Sequence, residues 1–194
     1  GCIYNLQPVW EVRQKQEVYR ITDEDCLFKA EMRIPAPLAL AWEYLTDTGT
    51  YMQRQPGITG WAVKKKKGGR VAPGTEQHCA HGANNEVLVI TIIDWQPLKY
   101  YTCAFALPLG STMYATYKVS EIDDENTLVT TYFQIKGKRP WQTPIVSALL
   151  YFPMKKNFVG GVDALEVIFA DLVSEDVEAG RIMPLPVSRP EAVG

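Results

Sequence analysis

Between Thr112 and Ile122 the side chains alternate. Met113, Ala115, Tyr117 and Val119 fall on one side, and Thr112, Tyr114, Thr116, Lys118 and Ser120 on the other. A period of two residues places such a segment in a half-buried strand. The β signal recurs in Thr59–Lys66, Gly74–His81, Val87–Ile93, Lys99–Leu107 and Thr127–Ile135. Between these runs lie turn-forming stretches: Lys67 to Arg70, Gly82 to Asn85, Trp95 to Pro97, Pro108 to Ser111 and Asp123 to Asn126. Paired glycines at 68 and 69 supply the positive φ that a tight turn needs. Turn signals at this spacing predict an antiparallel meander of about six strands. Both faces of Val87–Ile93 and Thr127–Ile135 are apolar or mixed, so the pattern leaves their inward face open.

Helical patterning flanks the meander. Cys26–Ile34 reads as a first strand that Pro35 and Pro37 stop. Leu38–Leu45 (LALAWEYL) is rich in helix formers and apolar all round, which predicts a short buried helix. Tyr51–Gln55 adds one further helical turn. At the other end Thr143-Pro144 suits a helix start, and the first helix is expected to run to Phe152, where Pro153 interrupts or kinks it. Beyond it Phe158, Val162, Leu165, Phe169 and Leu172 recur at helical spacing, predicting one long amphipathic helix over Met154–Ser174. The first 24 residues show no period and read as an arm or an added strand. Residues 25–176 form the domain, and residues 177–194 (ending PLPVSRPEAVG) a proline-rich tail.

The expected fold is therefore α+β: a curved antiparallel meander wrapped around a long C-terminal helix, with two short helices after the first strand. A meander must bury one face. The long helix is the one element large enough to cover it, and a sheet and helix held this way can enclose a cavity.

Composition narrows the classes of function. The chain has 194 residues, 46% apolar and 22% charged, the balance of an ordinary soluble domain. A net charge of −2 does not suit a nucleic-acid binder. No apolar run reaches the ~20 residues of a membrane span, and no signal-type leader precedes the first strand, so a cytoplasmic setting is expected. The cysteines at 2, 26, 79 and 103 form no CxxC pair and read as free thiols.

With this order of elements the chain resembles the START-like (SRPBCC, polyketide-cyclase and lipid-transport) superfamily with its helix-grip fold. The matching pieces are RIPAPLALAWEYLTD, TYMQRQPGIT, the strand joint DWQPLKYY and the closing FVGGVDALEVIFADL, together covering residues 25–175. The KKKKGGRVAPGT turn is similar to the glycine-rich turn of the plant pollen-allergen branch. That branch has more glycines there, so its phosphate-binding role is not carried over. The resemblance implies an apolar ligand such as a lipid, sterol or polyketide, and fixes neither ligand nor reaction.

Candidate chemistry is sparse. His78, Cys79 and His81 are the only clustered metal-type ligands, and on a strand His78 faces away from the other two, so no metal and no cofactor is expected. His81 remains a candidate cavity group, as hydrogen-bond donor or acid/base. Tyr117, beside small Ala115, is the second. The expected lining adds Trp61, Phe105, Met113, Ala115 and Tyr132 from the sheet, and Phe158, Val162 and Leu165 from the long helix. Lys64, Lys65, Lys66, Lys67 and Arg70 form a basic hairpin tip, either a solvated strand end or a contact for an anionic membrane. No nucleophile elbow, Walker loop or GxGxxG is present. The leading expectation is sequestration or carriage of an apolar small molecule in an internal cavity. The alternatives are a cyclase or dehydratase using His81 or Tyr117 as acid/base, and a ligand-sensing domain of a longer protein.

Overall fold

The computed structural model describes residues 19–64, 72–82 and 86–182. Seven strands form one antiparallel sheet: β1 (Phe28–Ile34), β2 (Ile58–Lys64), β3 (Glu76–His81), β4 (Glu86–Gln96), β5 (Tyr100–Leu107), β6 (Ser111–Asp123) and β7 (Asn126–Lys136). The order across the sheet is β1-β7-β6-β5-β4-β3-β2, so β2 to β7 are a simple meander and β1 returns to pair with the last strand. Two short helices, α1 (Leu38–Thr46) and α2 (Thr48–Met52), follow β1, and α3 (Gln142–Gly160) and α4 (Val162–Glu178) follow β7. This is the α+β helix-grip architecture expected from the sequence.

Alternation decides the inner face. In β6 Met113, Ala115 and Val119 are buried, and the register sets Tyr101 of β5 opposite Tyr117 and Phe133 of β7 opposite Ala115. The two strands left open by the pattern are thereby resolved. In β4 Ile92 is buried while Val87 and Val89 face water, and in β7 Val129, Phe133 and Ile135 are buried among the core residues.

Several boundaries depart from expectation: α2 spans Thr48–Met52 rather than Tyr51–Gln55, and β3 begins at Glu76 rather than Gly74. β1 begins at Phe28 rather than Cys26, because the N–H groups of Asp25 and Cys26 both donate to the Thr22 carbonyl in a turn. β4 continues past Ile93 to Gln96, with a register shift between Ile92 and Asp94. The extra residue of such a bulge turns the strand, and Trp95 packs edge-on against Trp42 of α1, ring centroids 5.1 Å apart. The expected interruption at Pro153 does not occur, and the single long helix expected over Met154–Ser174 is divided: α3 runs through the proline, and the interruption falls at Gly161. Two adjacent glycines carry the lowest helix propensity short of proline. A Cβ on Gly161 would also lie 3.2 Å from the Asn157 carbonyl oxygen, closer than an ordinary contact.

The core has two parts. One joins α1, α2 and α4 to the sheet through Trp42, Leu45, Tyr51, Val129, Phe169 and Leu172. The other joins α3 to the sheet through Phe28, Phe105, Met113, Phe133, Ile135 and Val146. Trp95 and Tyr117 pack against both. On the outer face, residues 19–26 cross the sheet: Ile21 is buried, and its N–H donates to Thr116 Oγ1 at 3.0 Å. At the free edge of β1, Glu166 of α4 accepts from the Arg33 N–H at 2.6 Å. Residues 1–18 and 183–194 lie outside the described residues, as does most of the expected basic tip.

Candidate functional site

Between the two parts of the core lies a cavity of about 180 Å³. Its sheet wall comes from alternate positions of three neighbouring strands. β3 contributes Gln77, Cys79 and His81, β4 Leu88 and Ile90, and β5 Tyr101, Cys103 and Phe105. Tyr117 of β6 and Trp61 of β2 extend it. The opposite wall is Phe158 at the end of α3 and Leu165 of α4, and α2 closes one side with Thr48, Tyr51 and Met52. His81 is exposed and pairs in register with Ile58, so the opening lies where β2, β3 and the chain after α2 meet. Arg54, in that connecting segment, holds Glu175 of α4 through two N–H···O contacts of 2.7 and 2.8 Å.

None of the lining residues is Asp, Glu, Lys or Arg. The polar groups are instead three phenols, two thiols, a buried amide–hydroxyl pair, the Gln55 amide, an indole and the rim imidazole. Tyr101 and Tyr117 are stacked, with centroids 4.7 Å apart and planes 16° from parallel. Burial pushes the phenols of Tyr51, Tyr101 and Tyr117 well above the ordinary tyrosine range, and the nearby Cys103 thiol adds to the rise in all three. Burial likewise pushes the Cys103 thiol to about 12 and that of Cys79 to about 11. All five groups are therefore protonated and neutral at physiological pH. They can donate hydrogen bonds but cannot act as bases. Gln77 Nε2 donates to Thr48 Oγ1 at 2.9 Å, tying β3 to α2, with both residues buried. The Trp61 indole N–H is buried without an acceptor among the described residues.

The structure brings together six of the sequence-derived candidates at this cavity: Trp61, His81, Phe105, Tyr117, Phe158 and Leu165. Val162 lines a smaller adjoining cavity of about 50 Å³, which Tyr117, Phe158 and Leu165 also border. Met113 and Ala115 face inward but are fully covered by neighbouring side chains, so they support the wall without lining it. Tyr132 lies on the outer face, where its hydroxyl donates to Asp23 Oδ2 at 3.3 Å, and is not part of the cavity. The segment over residues 19–26 is what buries it there. Lys64 is exposed at the end of β2, while Lys65, Lys66, Lys67 and Arg70 lie outside the described residues. Among the described residues no group of His, Cys, Asp or Glu could hold a metal, and no helix is long and apolar enough to cross a membrane.

Sequence reasoning passed over Tyr51, Tyr101, Cys103, Gln77, Leu88 and Ile90 as lining residues. The signal for two of them was present. Once Phe105 faces inward, the two-residue period of β5 carries Cys103 and Tyr101 with it. Tyr51 depends on how α2 folds back over the sheet, for which the local sequence has no period.

Solved structures of similar fold come from several sources. The di-domain ARO/CYC protein StfQ from the steffimycin biosynthetic pathway aligns with a TM-score of 0.54 at 11% identity, covering 76% of this chain and 52% of StfQ. This chain thus spans about half the length of that relative. A solution structure from Thermobifida fusca gives 0.54 at 18% identity, covering 76% and 93% of the two chains. The protein TTHA0849 from Thermus thermophilus gives 0.55 at 16%, covering 74% and 97%. At such identities the likeness is one of fold. A search of curated proteins returns no match. The sequence itself matches the family described as polyketide cyclase / dehydrase and lipid transport over residues 25–168. With that match running from the turn before β1 into α4, the chain belongs to the polyketide cyclase / dehydrase and lipid transport family.

Proposed function

We propose that the protein binds a neutral, largely apolar small molecule in the cavity between sheet and helices, without transforming it. The observation that carries this reading is the lining: apolar side chains interrupted by neutral polar groups, most of them donors, with no carboxylate, ammonium or guanidinium. Burial of apolar surface at ~25 cal/mol per Å² supplies the affinity. Tyr51, which accepts a hydrogen bond from Tyr101, and Tyr117 orient an oxygen acceptor on the ligand. The Trp61 N–H offers a second donor, and a buried donor without an acceptor is uncommon enough to suggest a recognition role. A volume of about 180 Å³ is close to that of engineered apolar cavities of ~150 Å³ that admit benzene. The fit is to a ligand of one or two rings, or to the ring end of a larger molecule that protrudes past His81.

The test is native mass spectrometry of the purified protein followed by extraction under denaturing conditions, beside titration with the neutral dye N-phenyl-1-naphthylamine. A co-purified apolar compound, or dye binding abolished by Ile90→Trp in a folded variant, supports the reading. Dye affinity unchanged in Ile90→Trp places binding elsewhere.

A second reading rests on His81. It is the one imidazole at the cavity, and histidine is the side chain that most often moves protons near neutrality. StfQ, of similar fold, is an ARO/CYC protein. In a cyclase or dehydratase the rim imidazole would take the proton and a neutral phenol would hold the developing oxyanion. His81→Gln separates the two readings: a binder keeps its affinity, and an enzyme loses turnover while still binding.

A further inference from the structure

The outer face of α3 reverses the usual pattern of a surface helix. Its inner side is apolar as expected, with Val146 buried and Leu150, Met154 and Phe158 packed on the core. Its outer side is apolar too. Trp141, just before the helix, is 60% exposed, Ile145 51%, Leu149 60% and Phe152 78%. From Ile145 these positions recur at helical spacing and form one continuous edge. A helix apolar on both sides calls for a cover on the outer one, and contiguous exposed apolar surface marks an interaction site.

Charge identifies the cover. From Asn126 to Val162 the sequence has five cations, Lys136, Lys138, Arg139, Lys155 and Lys156, and no carboxylate. All five are exposed. The ion pairs among the described residues involve none of them. Lys136 lies over the Tyr114 ring on the outer face of the sheet, and the other four sit at both ends of the apolar edge, two before α3 and two in its last turns. A second copy of the chain is a poor fit. Packing α3 on itself about a two-fold axis sets cations against cations, whether the helices run parallel or antiparallel. An apolar edge with a tryptophan at one end and basic side chains at both suits a surface that is apolar within and anionic at its rim.

We propose that α3 is a docking helix for an anionic lipid surface. Ile145, Leu149 and Phe152 enter the boundary between headgroups and acyl chains, Trp141 lies at headgroup level, and Lys138, Arg139, Lys155 and Lys156 meet lipid phosphates. Phe158, on the inner side of the same helix, lines the cavity, so docking brings that wall beside the lipid. The proposal stands whether or not the cavity ligand is itself a lipid.

The test is co-sedimentation of the full chain with vesicles of phosphatidylcholine alone and of phosphatidylcholine containing about one-third phosphatidylserine. The wild type should partition about tenfold more strongly to the anionic vesicles, and added salt should reduce that preference. The double variant Leu149→Glu/Phe152→Glu should lose binding about tenfold or more. Its changes are at exposed positions, so its circular dichroism melt should match the wild type. Lys155→Gln/Lys156→Gln should lower binding to anionic vesicles while leaving weak binding to neutral ones. The proposal is overturned if the wild type stays in the supernatant with both vesicles. It is also overturned if the double glutamate variant binds as the wild type does, or if sedimentation equilibrium shows a dimer that this variant dissociates.

Discussion

The ring of Tyr117 lies face to face with that of Tyr101, on the neighbouring strand and directly opposite in register. This pair ties the two parts of the core together and places both rings in the cavity wall. Tyr117→Phe should keep the stack and remove one hydroxyl. The expected result is a melting temperature within a few degrees of the wild type and about three- to tenfold weaker binding of an oxygen-bearing apolar ligand. Tyr117→Ala should instead lose about 3–5 kcal/mol of stability. Thermal melts beside dye titration separate the two effects.

The same phenols make stability fall in alkali. Their folded-state pKa values are raised above the ordinary ~10. Their contribution is thus complete below that value and is lost as pH rises through the folded values, because the unfolded chain gives up its phenolic protons first. Absorbance at 295 nm should show Tyr51, Tyr101 and Tyr117 ionising together with unfolding. Smooth ionisation of all ten tyrosines in a chain that stays folded would contradict this.

Thiol chemistry offers an independent probe of the cavity. Cys79 and Cys103 are buried with raised pKa values, whereas Cys26 is partly exposed. In a Cys2→Ser background, a colorimetric disulfide reagent should label Cys26 in the native protein. Cys79 and Cys103 should be labelled only as it unfolds. Rapid native labelling of Cys79 would mean that the cavity is open to water at that depth.

At the helix that closes the cavity, Thr48→Val leaves the buried Gln77 amide without its acceptor and should cost about 1–3 kcal/mol. Adding Gln77→Leu should recover most of that loss, since both polar partners are then gone. A double-mutant cycle in urea measures the coupling. Strictly additive losses would show that the pair does not act as a unit.

In acid the relevant group is Asp176 of α4. The Tyr44 hydroxyl and then the Arg181 guanidinium hold its carboxyl below the usual range. A depressed carboxylate contributes stability above its unfolded pKa, and that contribution disappears as pH falls through the folded value. Tyr44→Phe should therefore flatten the fall in stability below about pH 4. It should also raise the Asp176 pKa measured by NMR.

Period and punctuation made the sheet and its order readable, because a meander needs only strands and turns in sequence. Alternation in β6 named the inner face correctly at Met113, Ala115, Tyr117 and Val119. It could not tell which of these side chains line space and which fill it. That depends on what the opposite layer covers: Met113 and Ala115 lie under packed side chains, while Tyr117 lies beside the cavity. Pattern alone misplaces Tyr132 because both faces of β7 carry bulky residues, and the outer one is covered by residues 19–26 from far away in the chain. Local chemistry alone makes Pro153 a breaker. It sits on the exposed side of α3, and the glycines at 160 and 161 are where the helix gives way.

That interruption makes the roof of the cavity a calliper with one fixed jaw. α4 is anchored by Ile168, Phe169 and Leu172, all buried, whereas α3 buries only Val146 among the described residues. Leu165 belongs to the fixed jaw and Phe158 to the other. A pivot at Gly161 would change the gap between Phe158 and the sheet while leaving the buried side chains of α4 in place. On the binding reading proposed above, guests of different girth would then be gripped by one site, and discrimination among them would fall to the tyrosines, which read polarity rather than width.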